Sequence, residues 1–330
     1  MSADTLQRIL DWPRLPLAAL PTRLVPARNL SEALGPDAPD VWVKMDSETG
    51  FGLGGNKVRK LEMVLAPGRL GGVTHLVTSG GVQSNHCRVT AAAAAHLGLR
   101  CVLVVNGQEP APPTGNALLH RLFGAEIRFV SGREDRESAS REAADEIASG
   151  GGRALLIPIG ASTGLGALGY ARATLELDEQ VARLPPRKRT WIFVSASSCG
   201  TLAGLLLGLS VLARADVRLV GVSADVSAFE MRSETLRLAA EGAALLEWEG
   251  ALREGALAAA DEFVGPGYGM PTPASTEALQ LFGRTEGVVL DPVYTAKAAA
   301  GMVSWIRCGS VRASDRVVFL HTGGHPALLA

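Results

Sequence analysis

From about Thr74 the chain alternates short apolar, β-rich runs with longer stretches of helical periodicity. The runs are HLVTSG, CVLVV, EIRFV and ALLIPIG, and the helical segments between them are Ser84 to Leu97, Gly115 to Phe123 and Arg133 to Ala148. This alternation predicts repeated βα units with parallel strands. Gly98 and Gly124 stand where a left-handed C-terminal cap is wanted, and Ser84 or Asn85 where a side chain can accept the first helical N–H groups. A second set follows the helical Gly164 to Leu184 and the linker PPRKR. It comprises strand WIFVSAS, a helix from Thr201 to Ala213, strand RLVGVSA, a long helical stretch near Val226 to Ala260, and a final strand RVVFLHTGG.

The fold class expected is α/β. At 330 residues the chain exceeds the usual size of one hydrophobic core, so two lobes are expected, with a cleft between them as the default active site. Lys plus Arg number 32 against 33 Asp plus Glu, which gives no field to gather nucleic acid or an anionic membrane and leaves small-molecule chemistry. Cys87, Cys101, Cys199 and Cys308 are widely spaced without a C-x-x-C pair, and the six histidines show no H-E-x-x-H or comparable ligand spacing. No metal is expected, and a reducing, cytoplasmic setting fits. Met1 to Leu10 lacks the cationic start and apolar run of a signal peptide, and the apolar stretches are broken before they reach the length of a membrane span.

Three segments carry candidate chemistry. TGFGLGGNKVRKLE, Thr49 to Glu62, sets a Gly-rich turn before Lys57, and the neighbouring Arg59 and Lys60 are cations of the kind that lower a lysine's pKa toward nucleophilic use. An ordinary loop lysine is the competing reading, whereas a P-loop is excluded because G-x-x-x-x-G-K-[ST] is not matched. SSCGTLAG, Ser197 to Gly204, lies at the carboxyl end of a strand and opens a helix, where unpaired N–H groups and the helix dipole favour an anion such as phosphate. Plain α/β packing also produces such a turn, and the absence of G-x-G-x-x-G argues against a dinucleotide. SGGVQSNH, Ser79 to His86, is a further strand-to-helix turn able to hold a carboxylate or simply to cap a helix. His86 alone earns no acid–base role.

Together with GPGYGMP (265–271), DPVYTAK (291–297) and HTGGHPAL (321–328), these segments run in the order of a known family, and the match covers nearly the whole chain. The sequence resembles the fold-type II pyridoxal 5'-phosphate enzymes of the 1-aminocyclopropane-1-carboxylate (ACC) deaminase and D-cysteine desulfhydrase family. The resemblance implies a tryptophan-synthase-β-like fold, with a large domain of residues 1–57 and 165–330 and a small domain of residues 58–164. It makes Lys57 the Schiff-base lysine and Asn85 a partner of the ring hydroxyl. Cys199, Gly200, Thr201, Leu202, Ala203 and Gly204 become the phosphate cup, and Thr322 and Thr295 lie about the pyridine ring. Ser84, Asn85 and His86 are placed at the substrate, flanked by Tyr268 and Tyr294, with Lys57, Ser84, Tyr268 and Tyr294 as the catalytic set. A homodimer is implied as well.

Within the family, ACC deaminases carry glutamate after the tyrosine of DPVY, where this chain has Thr295. VLVVNGQEP (102–110) also lacks the tryptophan expected there. Both departures resemble the D-cysteine desulfhydrase branch, which implies β-elimination from D-cysteine to pyruvate, hydrogen sulfide and ammonia. Met45 and Ser47 in KMDSETG depart from the family's more charged run and leave the substrate open. The alternatives are ACC deaminase, an L-cysteate sulfo-lyase or a related deaminating activity and, from another class, a non-catalytic pyridoxal-phosphate-binding protein. A serine hydrolase is disfavoured, because no G-x-S-x-G elbow is present.

Overall fold

The computed structural model describes residues 3–330. Helix α1 (Ala3–Asp11), strand β1 (Leu24–Pro26), α2 (Arg28–Leu34) and β2 (Asp40–Lys44) precede α3 (Asn56–Val64). A regular alternation follows: β3 (His75–Gly81), α4 (Asn85–His96), β4 (Arg100–Asn106), α5 (Gly115–Leu122), β5 (Glu126–Val130), α6 (Arg136–Ser149) and β6 (Ala154–Ile157). Next come α7 (Gly164–Ala182), β7 (Thr190–Ala196), α8 (Gly200–Val211), β8 (Val217–Ser223), α9 (Ala228–Leu245) and β9 (Leu257–Ala260). The chain closes through α10 (Pro273–Glu286), α11 (Thr295–Arg307) and β10 (Arg316–Leu320).

Two sheets result, ordered β1-β2-β10-β7-β8-β9 and β5-β4-β3-β6. Apart from the antiparallel pair β1–β2, the pairings are parallel among the described residues. Parallel strands need both faces covered, which is why β7 and β8 are apolar almost throughout. On one face α7 and α8 pack so closely that a Cβ on Gly204 would lie 2.1 Å from the Ala167 carbonyl oxygen. The other face is covered by α10 and α11, through Phe282, Ala299 and Met302.

Each sheet changes direction of growth once, between β3 and β6 and between β10 and β7. Such switch points open a crevice at the carboxyl ends of the strands. The ends of β3, β7 and β10 meet there.

The long helical stretch expected near Val226 to Ala260 divides. Helix α9 ends at Leu245, and Leu257–Ala260 becomes an edge strand paired with β8. Gly250 and Gly255 interrupt the helical pattern between them. Strands β1 and β2 were not marked by the alternation, being short and outside a βα repeat. Among the described residues no helix is long and apolar enough to cross a membrane.

Candidate active site

The crevice is a solvent-open cavity of about 100 Å³. Lys57, Ser84, Asn85, His86, Cys199, Gly200, Thr201, Leu202, Tyr268, Tyr294 and Thr322 all line it, although they come from positions as far apart as the third helix and the last strand. Ala203, Gly204 and Thr295 do not line it.

Lys57 is the second residue of α3. The turn before it is fastened to the turn after β10, where Asn56 N–H donates to the Thr322 carbonyl at 3.0 Å. Gly55 sits at φ +104°, and a Cβ there would stand 2.9 Å from that same carbonyl oxygen. Glycine is thus required by both conformation and space. Removal from water brings the half-buried Lys57 amine down to about 8, with its hydrogen bond to Lys60 opposing that fall and the Arg88 charge adding to it.

Arg59 is not one of the cations acting on Lys57. It faces away into the core, where its guanidinium donates to both Asp46 oxygens at 2.9 Å and to Glu176 at 2.9 and 3.0 Å. The phase of the helix explains this, since residues three apart share a face while a residue two away lies opposite. Lys57 and Lys60 therefore point together into the crevice. That phase was available in the sequence as the spacing K-x-x-K.

Lys60 is fully buried, donates to Ser162 Oγ at 3.1 Å, and has no ion-pair partner among the described residues. Burial and the adjacent Lys57 charge push its amine well below the usual lysine range. Ser162 Oγ in turn donates to Ser198 Oγ at 2.8 Å and accepts the Gly200 N–H at 3.3 Å. This group meets the start of α8, whose N-cap Cys199 is held left-handed at φ 57°. The cup ends at Leu202 because the Ala203 N–H already donates to the Cys199 carbonyl at 2.8 Å, and Gly204 is spent on packing against α7. Burial pushes the Cys199 thiol up to about 11, so it is an inert thiol at neutral pH.

Across the crevice, Ser84 caps α4 by accepting the Cys87 N–H at 3.2 Å, which leaves its own hydroxyl proton free to donate. Asn85 Oδ1 accepts from Arg88 at 2.8 Å and from Asn116 at 2.9 Å, so its amide N–H groups are what it can offer a ligand. The Thr78 hydroxyl donates to the Ile157 carbonyl at 2.7 Å and therefore accepts from His86 Nε2 at 2.8 Å. By this assignment His86 Nδ1 is an unprotonated acceptor, and it is buried without a partner. Burial and the two nearby lysines hold the imidazole well below its usual pKa, hence neutral.

Tyr268 and Tyr294 meet hydroxyl to hydroxyl, their rings 5.8 Å apart and inclined by 70°. Burial raises both phenols. Thr322 Oγ1 lies 3.3 Å from Ser195 Oγ, so neutral hydroxyls occupy that end of the crevice. Thr295 is instead turned onto the buried Asp291, donating to its carboxylate at 2.6 Å and accepting the Asp291 N–H at 2.7 Å. A threonine beginning a helix favours such a local bond over reaching into the cavity.

The donor set fits pyridoxal phosphate. A buried lysine without a carboxylate beside a helix start with unpaired N–H groups is an anion site, suited to the phosphate. The half-buried amine of Lys57 and the Asn85 amide suit the aldehyde and ring hydroxyl. Sequence reasoning gave Lys60 only as a cation lowering Lys57, whereas its hydrogen bond raises that amine, and it missed Ser162 and Ser195 as parts of this site, together with Arg133, Arg136 and Asp225 at its mouth.

A family model for pyridoxal-phosphate dependent enzymes matches residues 15–323. The chain is 38% identical to D-cysteine desulfhydrase of Salmonella choleraesuis (strain SC-B67), over 98% of both chains. It superimposes on the crystal structure of an ACC deaminase homologue with a TM-score of 0.89 and 35% identity, over 100% of this chain and 97% of that one. Threonine deaminase isoform 2 of Solanum lycopersicum shares the fold at 16% identity and a TM-score of 0.64, over 97% of this chain and 83% of that one.

Proposed function

Because the chain belongs to the pyridoxal-phosphate dependent enzymes, within the ACC deaminase and D-cysteine desulfhydrase family, we propose that it is a lyase converting D-cysteine and water to pyruvate, hydrogen sulfide and ammonia. When bound, the cofactor supplies the electron sink that allows an amino acid's Cα–H bond to be broken. Lys57 is the amine that carries it. The start of α8 with Lys60, Ser162 and Ser198 holds the phosphate, and Asn85 donates to the ring hydroxyl. Thr322 and Ser195 would offer the ring nitrogen hydroxyls and no carboxylate, a setting that would favour its neutral form and suits β-elimination.

The chain's own groups divide the remaining work. Ser84 and the free N–H groups at the start of α4 bind the substrate carboxylate. Lys57, whose amine burial lowers to about 8, takes the α-proton. The Tyr268–Tyr294 pair stays protonated, because burial raises both phenols, and is able to donate a proton to the departing sulfur. Residues 1–57 and 165–330 form the cofactor domain and 58–164 the smaller one. A homodimer in the cytoplasm belongs to the same reading, supported by the frequency of symmetric dimers and by the free cysteines Cys87, Cys101, Cys199 and Cys308.

The observation that carries this reading is the pairing of Lys57 with an anion cradle in a crevice closed by two tyrosines. The relationship to D-cysteine desulfhydrase supplies the substrate. Sulfide and pyruvate released in equal amounts from D-cysteine by the cofactor-loaded protein is the expected result. Release of 2-oxobutanoate from ACC in its place moves the protein to the deaminase branch, and a cofactor-loaded protein inert to every amino acid makes it a binding protein.

A further inference from the structure

Arg88, the fourth residue of α4, is 1% exposed, and its hydrogen-bond partners among the described residues are all neutral. One terminal nitrogen, Nη1, donates to Asn85 Oδ1 at 2.8 Å and to Asn116 Oδ1 at 3.1 Å, and the other, Nη2, donates to the Gly54 carbonyl at 2.6 Å. Its Nε is buried without a partner. Burial brings the guanidinium down to about 10, so it is still charged at neutral pH. A buried cation without a counter-charge destabilises a fold, and an apolar side chain of similar size would fill the space without that penalty. Neither Arg88 nor Asn116 lines the crevice. The charge therefore acts through the groups that Arg88 touches.

A carboxamide can stand either way round. At Asn85 two donors converge on one atom, Arg88 Nη1 and Asn116 Nδ2, which makes that atom the oxygen and turns the amide nitrogen to the crevice. Asn116 is itself held by Gln83, donating from Nδ2 to its carbonyl at 2.8 Å and from its backbone N–H to Oε1 at 2.7 Å. The other arm of the Arg88 fork reaches Gly54, three residues before Lys57. The far side of that turn has no slack, because the Gly55 carbonyl accepts from the Thr49 hydroxyl at 3.1 Å and a Cβ on Gly54 would stand 2.2 Å from the Ser47 carbonyl oxygen. One rigid, planar guanidinium thus spans the turn that carries Lys57 and the side chain of Asn85. In pyridoxal phosphate the aldehyde and the hydroxyl stand on neighbouring ring carbons, so the two groups that take them must be kept at one fixed spacing.

We propose that Arg88 is a positioning residue for the cofactor, which holds the Asn85 amide N–H groups toward the ring hydroxyl, fixes their spacing from the Lys57 turn and favours the ionised form of that hydroxyl. This rests on the roles given above to Lys57 and Asn85 and deepens them. A hydrogen bond to the charged form of a group favours that form, and the unanswered guanidinium behind the amide polarises it in the same direction. With its ring oxygen ionised, lysine-bound cofactor absorbs visible light, and with the hydroxyl protonated it absorbs in the near ultraviolet. Arg88 therefore has a spectral consequence that a packing role lacks.

The test compares the wild type, Arg88→Met, Arg88→Lys, Asn85→Ala and Asn85→Ala combined with Arg88→Met, each loaded with pyridoxal phosphate at one pH. The ratio of visible to near-ultraviolet absorbance should fall about tenfold in Arg88→Met and in Asn85→Ala, the loss expected for one charge-assisted bond, fall no further in the double variant, and recover partly in Arg88→Lys. In parallel, the cofactor-free proteins are titrated calorimetrically with deoxypyridoxine phosphate, which keeps the ring hydroxyl and phosphate but has a methyl in place of the aldehyde. Arg88→Met should weaken its binding about tenfold, and by less than about twofold where Asn85 is already alanine. An unchanged ratio and affinity in Arg88→Met, or equal losses with and without Asn85, overturn the proposal and leave Arg88 a packing residue. A wild-type ratio in Asn85→Ala removes Asn85 as the hydroxyl's partner, and the proposal falls with that role. No amino acid enters these measurements, so they decide on Arg88 whether or not D-cysteine is turned over, and sulfide release by the wild type tests the lyase reading separately. Should Arg88→Met not fold, Arg88→Lys with and without Asn85→Ala decides: a shift that Asn85→Ala abolishes supports the proposal, and any other result overturns it.

Discussion

Helix α3 divides two clusters of buried basic side chains. On its core face Arg59 joins Lys44, Asp46, Glu176 and Tyr170 in a network where every charge is matched: Tyr170 donates to Asp46 at 2.6 Å and Lys44 pairs with Glu176. Burial pushes Asp46 up, yet Arg59 and Lys44 hold it below the usual carboxylate range. On the crevice face Lys57 and Lys60 are at least as basic in number but have no carboxylate, and both amines are driven down. Burial is common to both clusters, so burial is not what marks a site. The sign of the imbalance is: a matched cluster is a structural pin, and an unmatched one is a socket awaiting a ligand of opposite charge.

The sharpest break comes at Lys57. Lys57→Ala should lose the visible absorbance of lysine-bound cofactor and all turnover of D-cysteine; a retained band would mean that Lys60 carries the cofactor instead. The core face responds in stability. Arg59→Met leaves Asp46 and Glu176 without their main partner and should cost about 3–5 kcal/mol in denaturant unfolding, with an unchanged midpoint showing that the network is dispensable.

Lys60→Met sets the two faces directly against each other. It should weaken cofactor binding by about tenfold to a hundredfold, as expected for one charged hydrogen bond, while stabilising the cofactor-free protein by removing an unpaired buried amine. Destabilisation of the cofactor-free form would put Lys60 with the structural pins.

A further effect is in pH. The Lys57 amine falls from 10.5 in the unfolded chain to about 8 in the fold, so between these values the unfolded chain holds the extra proton. Stability of the cofactor-free protein should therefore rise with pH from about 8 to 10.5, and Lys57→Met should flatten that rise. Asp46 gives a slope of the same sign in an acid window: its depressed pKa contributes stability above the ordinary value of 3.8, lost as the pH falls below it. Urea midpoints across pH check both limbs.

Much of this was legible in the chain. The βα alternation from His75 to Ile157, the strands β7, β8 and β10, the cap at Ser84 and the Gly-rich turn that opens α8 all follow from local pattern. What local pattern missed was either short, as with β1 and β2, or broken, as with the stretch that holds α9 and β9. Thr295 was drawn toward the cofactor by its motif, yet it faces Asp291, because a helix-start hydroxyl four residues after an aspartate closes a local bond first.

The sequence by itself determined the fold class and the family and singled out Lys57, because glycine turns, helix starts and ordered motifs are properties of neighbouring residues. Only the tertiary structure decided which charges are spent. Arg59 and Lys60 are adjacent and both basic, but Asp46 and Glu176 reach one while Ser162 and the start of α8 reach the other. Arg133 and Arg136 are separated in the same way by Asp225, which accepts from Arg133 and leaves Arg136 Nε buried without a partner. Charge matching depends on distances between residues far apart in the chain, and no local spacing encodes them.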